Sequence, residues 1–152
     1  MSEFTIEDTV KAKPETVFDV YLDHRGYADL LKLIRTAELE QEGEPPPNGL
    51  GAIRKLHLVG ATVREEMTEY ERPDRYSYRM LSGLPLDQFD ATVSFTPTDE
   101  GTSVSYHVKV VGAVKALPVK WPSEEAIRMF MKSAAEKAET REAGEPARTE
   151  PA

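Results

Sequence analysis

Residues Asp90 to Val110 read DATVSFTPTDEGTSVSYHVKV. Apolar and polar side chains alternate, the alternation breaks at TDEG, and it then resumes. In an extended chain successive side chains point to opposite faces. Val93, Phe95, Val104, Tyr106 and Val108 therefore share one face, and His107 and Lys109 take the other. Two such runs joined by a short Gly-bearing turn predict a β-hairpin with one apolar and one solvated face. The apolar face needs a cover, and the nature of that cover decides the fold.

Outward from the hairpin, more strands precede it and one long helix follows. Phe4 to Val10 alternates as a strand. Pro14 stands at a helix start with Glu15 in the first turn, and Val17, Phe18, Tyr21 and Leu22 recur at helical spacing, which predicts a helix over 14–23. His24-Arg25-Gly26 ends it, and Tyr27 to Leu33 forms a second short helix burying Tyr27, Leu30, Leu31 and Ile34. Arg35 to Glu42 is a weak strand, and EGEPPPNGLG is a loop that no regular element crosses. Strands follow at 52–59, 62–70 and 76–80, with ERPDR as a turn and SGLPLDQ as a loop whose Leu84 and Leu86 are apolar. Beyond Val111, GAVKALPVKWP is an irregular connection. Ser123 is an N-cap candidate with Glu124 and Glu125 in the first turn, and Ile127, Phe130, Met131, Ala134 and Ala138 fall on one helical face. The domain is expected over 1–140, with a disordered polar tail over 141–152. Consecutive antiparallel strands make a curved meander, and the long amphipathic helix is its cover.

Composition narrows the function classes. The chain has 152 residues, one domain's worth, and a net charge of −8 from 19 Lys+Arg against 27 Asp+Glu. No basic patch offers phosphates a surface, so nucleic acid is not expected as a partner, nor is docking on anionic membranes. With no cysteine there is no disulfide, thiolate or cysteine-based metal chemistry. The polar start MSEFTIEDTV carries no signal-peptide pattern, and no apolar run approaches a membrane span, so a cytoplasmic protein without membrane insertion is expected, monomeric or homodimeric.

The pieces KPETVFDVYLD, GLGAIRKL, VREEMTEYERPDRYSY, SGLP and VSFTPTDEGTSVSY, in that order across about residues 3–138, resemble the START-like, helix-grip (SRPBCC) superfamily, and within it bacterial proteins of the polyketide cyclase/dehydrase type. The resemblance implies an α+β fold: a seven-stranded curved antiparallel sheet gripping the C-terminal helix, with two short helices between the first two strands and a cavity between sheet and helix. It implies binding of a hydrophobic small molecule ahead of catalysis.

Parity then names the residues that face that cavity. Ala52, Arg54, Leu56 and Leu58 share a face, as do Val63, Glu65, Met67 and Glu69 on the next strand; the apolar members mark both faces as inward. Tyr76, Tyr78 and Met80 follow, then the hairpin's Val93, Phe95, Val104, Tyr106 and Val108. The candidate ligand contacts are Leu56, Met67, Tyr76, Met80, Phe95, Tyr106, Ile127, Phe130 and Met131, and the candidate catalytic groups are Arg54, Glu65 and Tyr78. A lone buried charge is expensive, so Arg54 and Glu65 pair with each other or meet a ligand. Two readings stand side by side: a cross-strand ion pair that only bridges the sheet, or a site in which Arg54 holds a carbonyl or enolate oxygen while Glu65 or a tyrosine moves protons. In the latter, aldol closure and dehydration of a poly-β-ketone needs no metal and no cofactor.

Other motifs carry less chemistry. His57 and His107 have outward parity, and His24 belongs to the loop between the short helices or to the pocket mouth. No HExxH spacing and no Ser-His-Asp arrangement is present. Gly49 and Gly51 mark a strand entry or a bend at the sheet rim rather than a phosphate loop, SGLPL forms part of the pocket rim, and Trp121 anchors the long helix or gates the cavity. Three functions compete: a small-molecule carrier, a cofactor-free cyclase, and a protein-interaction module, the last disfavoured by the charged outer strand faces.

Overall fold

The computed structural model describes residues 2–112 and 120–148, with side chains over 2–112 and 124–144. Its elements are β1 (Ser2–Val10), α1 (Pro14–Leu22), a 3-10 turn (His24–Gly26), α2 (Tyr27–Leu30), β2 (Ile34–Gln41), β3 (Ile53–Leu58), β4 (Ala61–Glu71), β5 (Arg75–Ser82), β6 (Gln88–Thr98), β7 (Gly101–Val111) and α3 (Lys120–Arg148). The strands form one antiparallel sheet in the order β1-β7-β6-β5-β4-β3-β2, with the two short helices between β1 and β2 and α3 packed along the inner face.

The hairpin forms as its alternation dictates. Val93 pairs Tyr106 and Phe95 pairs Val104, and all four are buried. Asp99 and Glu100 make the turn, and Gly101 takes φ +145, where a Cβ would sit 2.1 Å from the Val10 carbonyl. Only glycine fits that close approach of β7 to the end of β1. One residue on, the Thr102 hydroxyl donates to the Ala12 carbonyl at 2.7 Å in a fully buried position, tying the β1–α1 corner to the hairpin. The Pro-rich loop also depends on glycine: Gly43 and Gly49 pass so closely that a Cβ on Gly43 would meet the Gly49 carbonyl oxygen at 2.2 Å.

α1 starts at Pro14, whose missing N–H costs nothing in the first turn, and packs Phe18 edge-on against Tyr70, Tyr76 and Phe95. α3 presents Ile127, Phe130, Met131, Ala134 and Ala138 to the sheet, all buried as their spacing predicts.

Four expectations are corrected. α2 stops at Leu30 rather than Leu33, because Leu31 turns extended to carry Leu31 and Ile34 into the interior as β2 begins. α3 begins at Lys120, ahead of Ser123; Pro122 is tolerated there because first-turn N–H groups have no intrahelical acceptor. α3 also continues past 141, where a tail is expected: the Glu142 carboxylate accepts from the Thr16 hydroxyl at 2.8 Å, and Glu139 from the Lys11 N–H at 3.0 Å, so the last turns are held against the start of α1. Residues 149–152 and the Trp121 side chain lie outside the described residues. Finally, Glu69 does not point inward with Met67. Met67 pairs Tyr78 and Glu69 pairs Ser77, so Thr68 is an extra residue and the parity of β4 inverts beyond it. Glu69 turns out to accept from Arg75 and Ser77, and Tyr70 turns in against Phe18.

Substituting Thr102→Val should leave the Ala12 carbonyl buried without a donor and lower the unfolding free energy by about 1–3 kcal/mol. A urea titration with unchanged m-value checks this; an unchanged midpoint would mean that the corner is held by the strand ladder alone.

Candidate ligand cavity

A cavity of about 370 Å³ lies between the sheet and α3. Its walls come from α2 and the start of β2 (Tyr27, Leu31, Leu33, Ile34), from β3 to β5 (Arg54, Leu56, Leu58, Val63, Glu65, Tyr76, Tyr78, Met80), from the β5–β6 loop and β6 (Leu84, Pro85, Phe89), from β7 (Tyr106) and from α3 (Ala126, Ile127, Phe130). The volume is at the small end of the range for small-molecule sites, and the walls are mostly apolar with a few convergent polar groups, the usual make-up of such sites.

The polar groups meet at one place. Arg54 is 1 % exposed, the largest fully buried side chain among the described residues. Its Nη2 donates to Glu65 Oε1 at 3.1 Å, and its Nη1 contacts the Met67 sulfur at 3.5 Å. The guanidinium carbon lies 5.3 Å from the Tyr78 ring centroid and 5.8 Å from that of Tyr27, so two aromatic faces stabilise the cation. Glu65 is on the adjacent strand in direct register with Arg54, its side chain 12 % exposed. The Tyr78 and Tyr106 hydroxyls hydrogen-bond each other across the sheet, and the Tyr27 hydroxyl donates to the Tyr21 carbonyl at 2.6 Å.

Burial sets the protonation states. It pushes the Glu65 carboxyl above the ordinary carboxylate range, and the Arg54 charge and hydrogen bond pull it part of the way back. Burial alone would weaken the Arg54 cation, yet the guanidinium stays charged, with the Glu65 carboxyl and the ring faces of Tyr27 and Tyr78 beside it. Tyr27 is pushed up to about 12, chiefly by burial. Tyr76, Tyr78 and Tyr106 also rise well above the ordinary phenol, again first by burial, so all four phenols are neutral donors at pH 7. The site thus presents one cation, one soft carboxyl and a pair of phenols to an apolar chamber.

The candidate residues divide unevenly. Arg54, Glu65 and Tyr78 converge on the chamber, and Leu56, Tyr76, Met80, Tyr106, Ile127 and Phe130 line it. Met67, Phe95 and Met131 do not. Met67 is buried beneath the guanidinium. Phe95 is enclosed by Phe18, Tyr21 and Tyr76. Met131 is buried on the β1 side of α3 near Ile6. Parity identifies the inner face but not which inner residues meet space and which meet other side chains. Leu58, Val63 and Phe89 share their strands' inward parity and were legible by the same rule; Ala126 was not, because an alanine beside Ile127 carries no such signal. The Tyr27 side of the second helix and the SGLPL loop do reach the chamber.

The histidines stand apart. His57 and His107 lie on the outer face, His107 against Glu3 and Thr5 and His57 against Thr62. His24 sits in the 3-10 turn, outside the cavity wall, and burial holds its imidazole below the ordinary range. Among the described residues no group of three or more His, Cys, Asp or Glu side chains is placed to hold a metal ion, and no helix is long and apolar enough to cross a membrane.

Comparison with known proteins agrees with this architecture. Residues 1–141 match the family described as polyketide cyclase / dehydrase and lipid transport. Among solved structures, Ara h 8.0201 is similar at 17% identity with a TM-score of 0.76, over 90% of this chain and 97% of that one. The di-domain ARO/CYC StfQ from the steffimycin biosynthetic pathway is similar at 16% identity with a TM-score of 0.76, over 91% of this chain and 51% of that one. XoxI from Bacillus cereus is similar at 15% identity with a TM-score of 0.69, over 90% of this chain and 95% of that one. At these identities the likeness is one of fold. No curated protein matches the sequence.

Two outcomes are expected of the Arg54–Glu65 pair. Arg54→Met leaves Glu65 buried without its partner and should destabilise by about 3–5 kcal/mol, most of which the double change Arg54→Met/Glu65→Gln returns; a double-mutant cycle by chemical denaturation measures the coupling. Because the folded Glu65 carboxyl lies above its unfolded value, its contribution to stability is full below the ordinary carboxylate range and fades as pH rises through the folded value. Glu65→Gln should therefore gain on the native protein as pH rises through that window. A difference that stays flat with pH, or that moves the other way, contradicts this assignment.

Proposed function

The chain belongs to the polyketide cyclase/dehydrase and lipid transport family, and on that footing we propose that it binds a hydrophobic or aromatic small molecule, lipid- or polyketide-like, in the cavity between the sheet and α3. The observation that carries this is a chamber of about 370 Å³ with an apolar wall and one buried cluster of polar groups. A core made only for stability would be close-packed, with few voids larger than a water molecule. Here Leu31, Ile34, Leu56, Phe89, Ile127 and Phe130 instead surround open space. The apolar wall supplies affinity and the Arg54 end supplies orientation.

A second reading, cofactor-free cyclisation, is favoured by the convergence of Arg54, Glu65 and Tyr78. A carboxylate raised above its usual range is a stronger base. In this reading Glu65 takes a proton from a carbon between two carbonyls, Arg54 holds the enolate oxygen, and the carbanion closes a new C–C bond onto a second carbonyl. The proton on Glu65 passes by way of Tyr78 to the resulting alkoxide, which restores both groups. Glu65 then removes the remaining proton of the same carbon, the C–O bond breaks as the C=C bond forms, and that proton leaves with the hydroxyl as water. An interaction module is a third role within the same fold; no specific observation favours it.

A thermal-shift and native mass-spectrometry screen of lipids, flavonoids and polyketide-like aromatics tests the binding reading. A true ligand at 100 times its dissociation constant should add about 2.7 kcal/mol of stability. Ala126→Trp, which fills the chamber from α3, should weaken that ligand at least about tenfold, the share that a few lost apolar contacts represent. Ligand binding that survives a filled chamber would place the site elsewhere. For the cyclase reading, turnover of a poly-β-ketone thioester analogue should fall about 10²-fold or more in Glu65→Gln, and no turnover in the native protein leaves binding as the function.

A further inference from the structure

The polar end of the cavity is unevenly equipped. A guanidinium carries five N–H donors. Glu65 Oε1 takes one at Nη2, and the Met67 sulfur, a weak acceptor, lies against Nη1. Arg54 Nε is buried and has no acceptor among the described residues. The tyrosine pair adds to the surplus, since in a hydroxyl pair one O–H donates to the other and the second O–H remains unspent. Charge is balanced by one cation and one carboxyl, yet strong acceptors are scarce. What would complete the site is a group rich in acceptors, and donors of this kind bind a charged oxygen more strongly than a neutral one.

A second negative charge beside Glu65 would leave the buried cluster with one charge too many. Glu65 is faced by Arg54 from β3, by Tyr78 from β5, by Tyr106 from β7 and by Tyr27 from α2, while α3 contributes only Ala126, Ile127 and Phe130. Among these, the carboxyl is the group able to take a proton near neutral pH. Burial already biases it that way, and an incoming anion adds like-charge repulsion to the same side.

We propose that the ligand is an apolar weak acid, bound as its anion by Arg54 and a hydroxyl of the Tyr78–Tyr106 pair, with Glu65 protonated as it binds. This rests on the small-molecule reading above and names the ligand class. The proton comes from water when the acid arrives ionised, and from the ligand itself when it arrives neutral. In the second case the acidic proton passes to Glu65, and the buried site keeps one cation and one anion. Neutral analogues with the same apolar body fill the chamber but offer Arg54 only a neutral carbonyl acceptor, a weaker partner for a guanidinium than a carboxylate.

Calorimetry on the full chain tests this with matched probes, 2-naphthoic acid against methyl 2-naphthoate and decanoic acid against methyl decanoate, each in two buffers of different ionisation enthalpy. The acids should bind about tenfold or more tighter than their esters at pH 7, the difference between a charge-assisted and a neutral acceptor. Acid binding should take up protons and weaken as pH rises; Glu65→Gln should abolish both the uptake and the pH dependence. Arg54→Met should lower affinity for the acids at least about tenfold more than for the esters. If that variant does not fold, Arg54→Met/Glu65→Gln, which leaves no buried charge, should bind the ester and show no preference for the acid. Esters that bind as well as acids, or acid binding whose proton uptake persists in Glu65→Gln, overturn the inference and leave the cavity reading intact. Binding of neither class overturns both.

Discussion

A cation buried in an apolar interior is the constraint to which the rest of the structure answers. An isolated guanidinium at 1 % exposure would be untenable. The fold surrounds Arg54 with a carboxylate in direct register on the next strand, a methionine sulfur below, and aromatic faces from β5 and α2. These neighbours come from three different elements, β4, β5 and α2, so the charge is tolerable only once the sheet has formed and α2 has closed over it. A hydrophobic side chain at position 54 would have satisfied packing alone. The presence of a charge there, at the head of an open chamber, is what sets this end of the interior apart from a packed core.

The chamber exists because the sheet bends and the helix does not fill the bend. β4 carries an extra residue at Thr68, and β5 carries another at Leu81 between the Met80 and Ser82 pairings. Such bulges increase strand curvature and twist, and they flank the segment that holds Glu65, Met67 and Tyr78. α3 buries the small side chains of Ala134 and Ala138 along one part of its length and presents Ala126, Ile127 and Phe130 to the cavity along another. α1, with Phe18 and Tyr21, fills the other end of the grip through edge-on aromatic contacts with Phe95 and Phe130. One end of the interior is therefore solid aromatic packing and the other is open. The outer face is tied by exposed ion pairs such as Arg79–Glu66 and Arg64–Glu40, each worth little singly.

Much of this was legible in the chain because both periods are local. Alternation at Asp90–Val110 determined the hairpin and its inner face, and the helical spacing of Ile127, Phe130, Met131, Ala134 and Ala138 determined the packed stripe of α3. The same parity placed Arg54 inward, and Glu65 with it, and put His57 and His107 on the outside. These follow from the geometry of a single strand or helix, which each residue's neighbours along the chain already define. Parity failed where one residue was inserted: beyond Thr68 it predicted Glu69 inside and Tyr70 outside, and the bulge reversed both. Only the tertiary structure decided which inward residues meet empty space. Met67, Phe95 and Met131 face in as firmly as Tyr76 and Tyr106, yet they are covered by side chains from other elements. It also decided that Arg54 Nε is left without an acceptor and that α3 runs on past residue 141 to meet Thr16. Cavities and unspent donors are differences between what distant segments could fill and what they do fill, and no local period in the sequence encodes that difference.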